Sequence, residues 1–131
     1  MLAVGKYKKA HIEGCRRQVD AAVATYKKAL GGKGGAFEAH FVKHMILALD
    51  RYFVHRTRGM EGKDGNALNE VRMLCASISE AGDKLLADTT IKYDAAKSAT
   101  KLAIGDKLDL TIDQFEKLSA AFFAELTKRF S

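Results

Sequence analysis

Residues 36–58 read AFEAHFVKHMILALDRYFVHRTR and contain neither glycine nor proline. The run is far longer than a β-strand, and its apolar residues recur at the three- and four-residue steps of an α-helix. We therefore predict one long helix from Ala36 to Arg58. Its apolar arc consists of Phe41, Val42, Met45, Ile46, Leu49, Tyr52 and Phe53. Leu47 and Val54 lie outside that arc, and a helix that is apolar on nearly all sides is typically the central one.

A second, narrow stripe of this predicted helix is basic and rich in histidine. It consists of His40, His44, Arg51, His55 and Arg58. The four-residue spacing of His40 and His44 places two imidazoles on one helix face, where they can share a metal ion. A complete metal site would need ligands from another helix, and the candidates are His11, Asp113 and Glu116. The structural alternative is a pair of partly exposed histidines or a satisfied pair at an interface, because this spacing is common by chance.

Two further helices flank the long one in the sequence. An apolar stripe over residues 6–30 predicts the first, and the glycine-rich stretch GGKGG at residues 31–35 ends it with a flexible linker. After a polar loop, Asn66 is a suitable N-cap for a helix over residues 67–81.

The carboxyl-terminal part of the chain contains one clear helix and one ambiguous segment. Thr111 and Gln114 form a capping box, and the apolar stripe that follows carries four of the seven phenylalanines. Residues 83–110 suit either a short helix with Asp94 as its N-cap or a small hairpin, and we prefer the short helix.

These elements predict an all-α, four-helix-bundle-like single domain over residues 1–131, with the irregular segment 83–110 inside it. The length is ordinary for one domain, and the absence of proline favours long helices. Apolar residues make up 47% of the chain and charged residues 29%, as in other globular proteins.

The sequence also suggests a compartment and an assembly. No stretch approaches the roughly 18 apolar residues of a membrane span, and the amino terminus does not resemble a signal peptide. Cys15 and Cys75 lie far apart, without metal-site spacing. We expect a cytoplasmic protein with no membrane span. Because Leu47 and Val54 fall outside the main apolar arc, we also expect a homodimer.

The net charge of +6 makes an acidic partner an option. Basic residues crowd the first helix, although such a face is often simply solvated. Nucleic acid is an open alternative that the sequence does not favour. Interleaved aromatic residues would support it, but only Tyr7 and Tyr26 are available there and Tyr26 falls on the apolar stripe.

The stretch between residues 55 and 72 is unusually dense in polar and charged residues for a connector. A helix N-terminus with arginines nearby is suited to an anion. The predicted site for a small carboxylate or phosphate consists of His55, Arg58, Lys63, Asn66 and Arg72. The alternative is that the four positive residues Arg56, Arg58, Lys63 and Arg72 pair with the three acidic residues Glu61, Asp64 and Glu70 and hold the loop together.

We therefore expect a binding or interaction module that takes a small anionic ligand or a partner. The alternative is a metal- or haem-binding protein, or a small enzyme, that uses His40 and His44. No nucleophile lies next to a base in the sequence, so no catalytic residue is predicted. The sequence leaves the cofactor and the identity of the ligand open.

Overall fold

Four α-helices account for most of the chain in the computed structural model, which describes residues 3–80 and 82–131. They are α1 (Lys9–Leu30), α2 (Ala36–Tyr52), α3 (Ala67–Glu80) and α4 (Ile112–Phe130). Single 3₁₀ turns lie at Gly31–Lys33, Arg58–Glu61 and Ala95–Lys97. Within the described residues extended segments meet only in isolated bridges. The predicted all-α single domain is confirmed.

The core lies between α2, α3 and α4, and α1 packs against α4 and α2. The helix α4 begins where its capping box predicts: Gln114 N donates to Thr111 Oγ1 over 3.2 Å, and Thr111 N donates to Gln114 Oε1 over 3.0 Å. Its four phenylalanines are all buried. Because burying one such side chain stabilises a fold by roughly 1.5–3 kcal/mol, this helix contributes much of the core.

The sequence predicted that the first helix begins at residue 6, but α1 begins at Lys9. Residues 3–8 form an arm whose hydrogen bonds go to distant parts of the chain. Val4 N donates to His55 O over 2.7 Å, and Thr57 N donates to Val4 O over 2.7 Å. The backbone of the arm is therefore satisfied by tertiary contacts, so it does not continue the helix.

The helix α2 ends at Tyr52, and the prediction that it continues to Arg58 is wrong. Phe53 leaves helical geometry with φ −131° and ψ 35°. This change of direction turns Arg56 inwards, where it donates to Phe53 O over 3.1 Å and to Asp50 Oδ1 over 2.9 Å. His55 and Arg58 therefore do not continue the histidine stripe of α2.

The preferred short helix within residues 83–110 begins as predicted but forms only a single 3₁₀ turn. Asp94 caps a turn as predicted, because its Oδ1 accepts from Ala96 N over 3.0 Å, but the turn ends at Lys97. The carboxylate of Glu70 on α3 takes the next backbone amides, Ala99 N at 2.9 Å and Thr100 N at 3.0 Å. Those amides are then not free to continue a helix.

The hairpin alternative does not form around Gly105 and Asp106 either. Their segment pairs instead with residues 83–85: Leu85 N donates to Asp106 O over 2.9 Å, and Gly105 N donates to Leu85 O over 2.8 Å. The third helix starts at Ala67 as predicted, and position 81 at its predicted end lies outside the described residues.

Candidate functional site

Glu61 is the centre of a group of charged residues between α2 and α3. Its side chain is fully buried, with 0% exposure. A carboxylate removed from water is stable in a protein only when cations or hydrogen-bond donors replace the solvent. The Glu61 cluster consists of Glu61, Arg56, Arg58, Arg72 and Asp50.

Three guanidinium groups converge on the Glu61 carboxylate. Arg72 binds it with two nitrogens, Nε to Oε2 at 2.9 Å and Nη2 to Oε1 at 2.8 Å. Arg56 Nε lies 2.5 Å from Oε1, and Arg58 Nη1 lies 3.3 Å from Oε2. The two-pronged pair fixes the plane of the Arg72 guanidinium, and its hydrogen bonds to Glu61 raise the pKa of Arg72.

Arg56 is the buried cation of this cluster. Its side chain is 0% exposed and pairs with Asp50 at 2.9 Å as well as with Glu61. Its Nη2 makes no hydrogen bond within the described residues. The guanidinium carbon lies 5.5 Å from the centroid of the Phe122 ring. The attraction between the cation and the aromatic ring offsets part of the free-energy cost of the missing hydrogen bond.

Arg58 and Arg72 are the two cations of the cluster that reach solvent. Their side chains are 38% and 33% exposed. The three arginines of the cluster face two carboxylates, Asp50 and Glu61, and a third carboxylate, that of Asp88, lies near the exposed arginines. Asp88 lies close enough to both exposed arginines for them to lower its pKa, although hydrogen bonds from Thr90 lower it more.

A surface cleft opens beside the exposed side of Arg58. We call it the Lys63 cleft. It has a volume of about 360 Å³ and is lined by Arg58, Gly59, Gly62, Lys63 and Thr90. Lys63 is exposed and makes no ion pair with any described residue. The cleft therefore combines a mobile ammonium group with a guanidinium group that Glu61 holds in place.

The side chain of Asn66, predicted as part of a ligand site, makes hydrogen bonds within the protein. Its Oδ1 accepts from Leu68 N at 3.0 Å and from Asn69 N at 3.3 Å, which confirms the predicted N-cap of α3. Its side-chain amide donates to Glu61 O and to Asp64 Oδ1. Asn66 thus uses its own polar atoms to hold the helix start and the loop.

Buried Asn69 holds the same loop from inside. Its Nδ2 donates to Asp64 O over 2.7 Å and to Gly62 O over 3.2 Å. Gly62 has φ +72°, a conformation that favours glycine. These contacts fix the backbone on both sides of Lys63, so the cleft has a defined wall.

The predicted anion-site residues are only partly brought together. Arg58 and Lys63 line one cleft, and Arg72 is joined to Arg58 through their shared contact with Glu61. His55 is exposed and its backbone pairs with the amino-terminal arm. The pairing of Arg72 with Glu61 corresponds to the alternative in which the charged residues of this stretch pair with each other instead of binding a ligand.

The predicted metal-binding pair is exposed on α2. His44 Nδ1 lies 2.8 Å from His40 O, a contact along the helix itself. Among the described residues no group of three or more His, Cys, Asp and Glu side chains is arranged to hold a metal ion. Of the candidate additional ligands, Glu116 pairs with Lys27 at 2.5 Å, and the His11 ring lies 5.5 Å from that of Phe53.

Asp50, Asp88 and Thr90 are the site residues that sequence reasoning missed. Asp50 lies on α2, and the sequence pattern does not distinguish it from the other polar residues of that helix. Asp88 and Thr90 belong to the irregular segment, which has no periodicity to place them. The acidic charge of Asp88 and its Asp-x-Thr spacing were visible, but neither indicates a neighbour on another element.

Comparison with known protein families, with curated proteins and with solved structures finds no match to this chain. Among the described residues, the helices are too short or too polar to cross a membrane.

Proposed function

We propose that this protein binds a small oxyanion, a carboxylate or a phosphate, in the Lys63 cleft. The observation that carries the proposal is that a fully buried carboxylate holds Arg58, which lines the cleft together with Lys63. A guanidinium group that is already held in place loses little conformational entropy when it meets an anion. The positive charges of Arg58 and Lys63 in the lining of the cleft favour an anion over a neutral ligand.

Lys63 provides the test of this proposal. Its side chain lines the cleft but makes no ion pair with any described residue, so its replacement leaves the Glu61 cluster intact. The Lys63→Gln variant removes one positive charge from the cleft. Lys117→Gln is the matched control, because Lys117 is exposed on α4 and is not among the residues that line the cleft.

The measurement is the unfolding free energy of the three proteins in phosphate and in chloride at equal ionic strength. Phosphate at ten times its dissociation constant should stabilise the wild type by about 1.4 kcal/mol. We expect Lys63→Gln to lose most of that gain and Lys117→Gln to keep it. Equal stabilisation of all three proteins, or none in the wild type, would refute the proposal.

A further inference from the structure

The whole net charge of this protein comes from its first third. Residues 1–44 contain nine Lys and Arg against three Asp and Glu, whereas residues 45–131 contain thirteen of each. These first residues include the arm, α1, the glycine-rich turn and the first half of α2. An anionic partner that approaches the molecule is therefore attracted to this part of it.

Most of these basic side chains lack acidic partners. Arg16 pairs with Asp20 at 4.0 Å, and Lys27 pairs with Glu116 at 2.5 Å. The exposed basic residues of this part that make no ion pair with a described residue are Lys6, Lys8, Lys9, Arg17, Lys28 and Lys33. Unpaired surface cations are what a phosphate backbone contacts, because each contact releases a bound counterion.

An exposed aromatic residue lies in the same part of the chain. Phe37, at the start of α2, has 55% of its surface exposed. Its ring stacks beside that of Tyr26, with centroids 6.2 Å apart and planes 20° from parallel. Tyr26 in turn stacks on Phe41 at 4.6 Å and 19°, and the Phe37 ring lies 6.3 Å from that of Phe41 at 37°, so each ring contacts the other two. We call these three rings the Phe37 stack.

The Phe37 stack is held in place on both sides of the glycine-rich turn. Tyr26 belongs to α1 and is buried, and its hydroxyl donates to Glu38 over 3.3 Å. Phe37 is the outer member, and Lys28 and Lys33 lie between it and Tyr26 along the chain. An exposed aromatic ring with lysines close to it along the chain offers the two contacts that an unpaired nucleotide makes, one to its base and one to its phosphate.

We infer that α1, the glycine-rich turn and the start of α2 form a docking surface for single-stranded nucleic acid. Phe37 stacks on an unpaired base, and Lys28 and Lys33 face the neighbouring phosphates. This surface shares no residue with the Lys63 cleft, so it is independent of the proposed anion binding.

The other anionic partners fit these observations less well. A duplex keeps its bases stacked inside, so Phe37 would have nothing to stack on. An anionic membrane would require a large apolar area on the outer face of α1, whereas the large apolar residues of that helix other than Leu30 are buried. The apolar contact available to a partner near the turn is the single exposed ring of Phe37.

The test is binding of a fluorescent oligothymidylate of about 12 nucleotides, followed by anisotropy at several salt concentrations. The Phe37→Leu variant keeps an apolar side chain but loses the stack. We expect it to bind about fivefold to a hundredfold more weakly at every salt concentration, with an unchanged salt slope. Ile104→Ala is the matched control, because Ile104 is 48% exposed elsewhere on the surface.

The lysines are tested by the double variant Lys28→Gln with Lys33→Gln. It should reduce the slope of log affinity against log salt by about 0.7 for each lost phosphate contact. The control double variant, Lys117→Gln with Lys128→Gln, removes two exposed charges from α4 and should keep the slope.

Four results would overturn the inference. One is the absence of binding to the oligonucleotide at low salt. Another is equal affinity for the single strand and for a duplex of the same length. The third is binding that Phe37→Leu and Ile104→Ala weaken equally, because the stack would then have no part in it. Tighter binding to vesicles of anionic phospholipid than to the oligonucleotide would identify a membrane surface instead.

Discussion

Glu61 shows why a buried carboxylate needs several cations. With 0% exposure its side chain is out of contact with bulk solvent, and Arg56, Arg58 and Arg72 take the place of that solvent. The acidic and basic residues of this stretch are visible in the sequence, but their partners are not. Four positive and three negative residues allow many pairings, and only the burial of Glu61 and Arg56 selects among them.

Arg72→Ala tests the strength of this cluster. The change removes two hydrogen bonds from a carboxylate that cannot reach water, so we expect a loss of about 1–3 kcal/mol in the free energy of unfolding. Arg51→Ala is the control, since Arg51 is exposed and should cost less than about 0.5 kcal/mol. Denaturant titration measures both. If the two variants are equally stable, Arg72 does not support Glu61.

Cys75 gives a prediction about pH. Burial raises the pKa of its thiol to about 12. At pH 8 only about one thiol in ten thousand is then ionised, and the thiolate is the reactive form. In a Cys15→Ser variant, Cys75 is the one remaining cysteine. We expect its reaction with a thiol-labelling reagent in the folded protein to accelerate about tenfold per pH unit between pH 8 and pH 11. Labelling at pH 8 as fast as in denaturant would contradict this.

The same pKa affects stability in the alkaline range. The thiol ionises near pH 9 when the chain is unfolded, but it stays protonated up to about pH 12 in the folded protein. The folded state therefore binds more protons between these values. The contribution of the Cys75 thiol to the free energy of unfolding is therefore complete below pH 9 and is lost as the pH rises towards 12.

At the scale of elements, the sequence predicts what local contacts determine. The capping box of Thr111 and Gln114 and the caps of Asn66 and Asp94 each involve residues two or three positions apart, and all form. The early end of α2 depends instead on Arg56 reaching Asp50 and Glu61. Residue patterns over a few turns do not contain that tertiary contact.

Glu70→Gln tests the tertiary control of the irregular segment. The Glu70 carboxylate accepts from Ala99 N, Thr100 N and Thr100 Oγ1, and its residue is 1% exposed. A glutamine amide group points its NH₂ at one of these donors and leaves it unsatisfied. We expect a cost of about 1–3 kcal/mol. Hydrogen exchange at Ala99 or Thr100 should also become faster.

The control for this experiment is Glu80→Gln, on the exposed end of the same helix. It should change neither the stability nor the exchange of residues 99 and 100. If Glu70→Gln behaves in the same way, backbone contacts rather than the Glu70 carboxylate end the turn at Lys97.

At the scale of the whole molecule, the helical periodicity predicts the bundle because burial of apolar stripes determines it. The apolar stripe of α4 is buried at every predicted position. The Phe37 stack could not be predicted in this way. Phe37 falls outside the apolar arc of α2, and its stacking on Tyr26 depends on how the glycine-rich turn joins the two helices.

The homodimer remains a prediction, and the exposed apolar residues show where to test it. Among the described residues, three of the five exposed large apolar side chains belong to residues 52–60, namely Tyr52, Val54 and Met60. Leu47, the other residue on which the prediction rests, is half-buried. A region with this much exposed apolar surface at the end of α2 is a suitable centre for a two-fold interface.

Sedimentation at micromolar concentration measures the assembly. We expect a species of about twice the 14.4 kDa mass of the chain. Val54→Lys should make the protein sediment as a monomer, because burying an unpaired lysine charge in the core of an interface is unfavourable. Ile104→Lys adds the same charge at another exposed apolar residue and should leave the dimer intact. A wild-type protein that sediments only as a 14.4 kDa species would show that this region is exposed without being an interface.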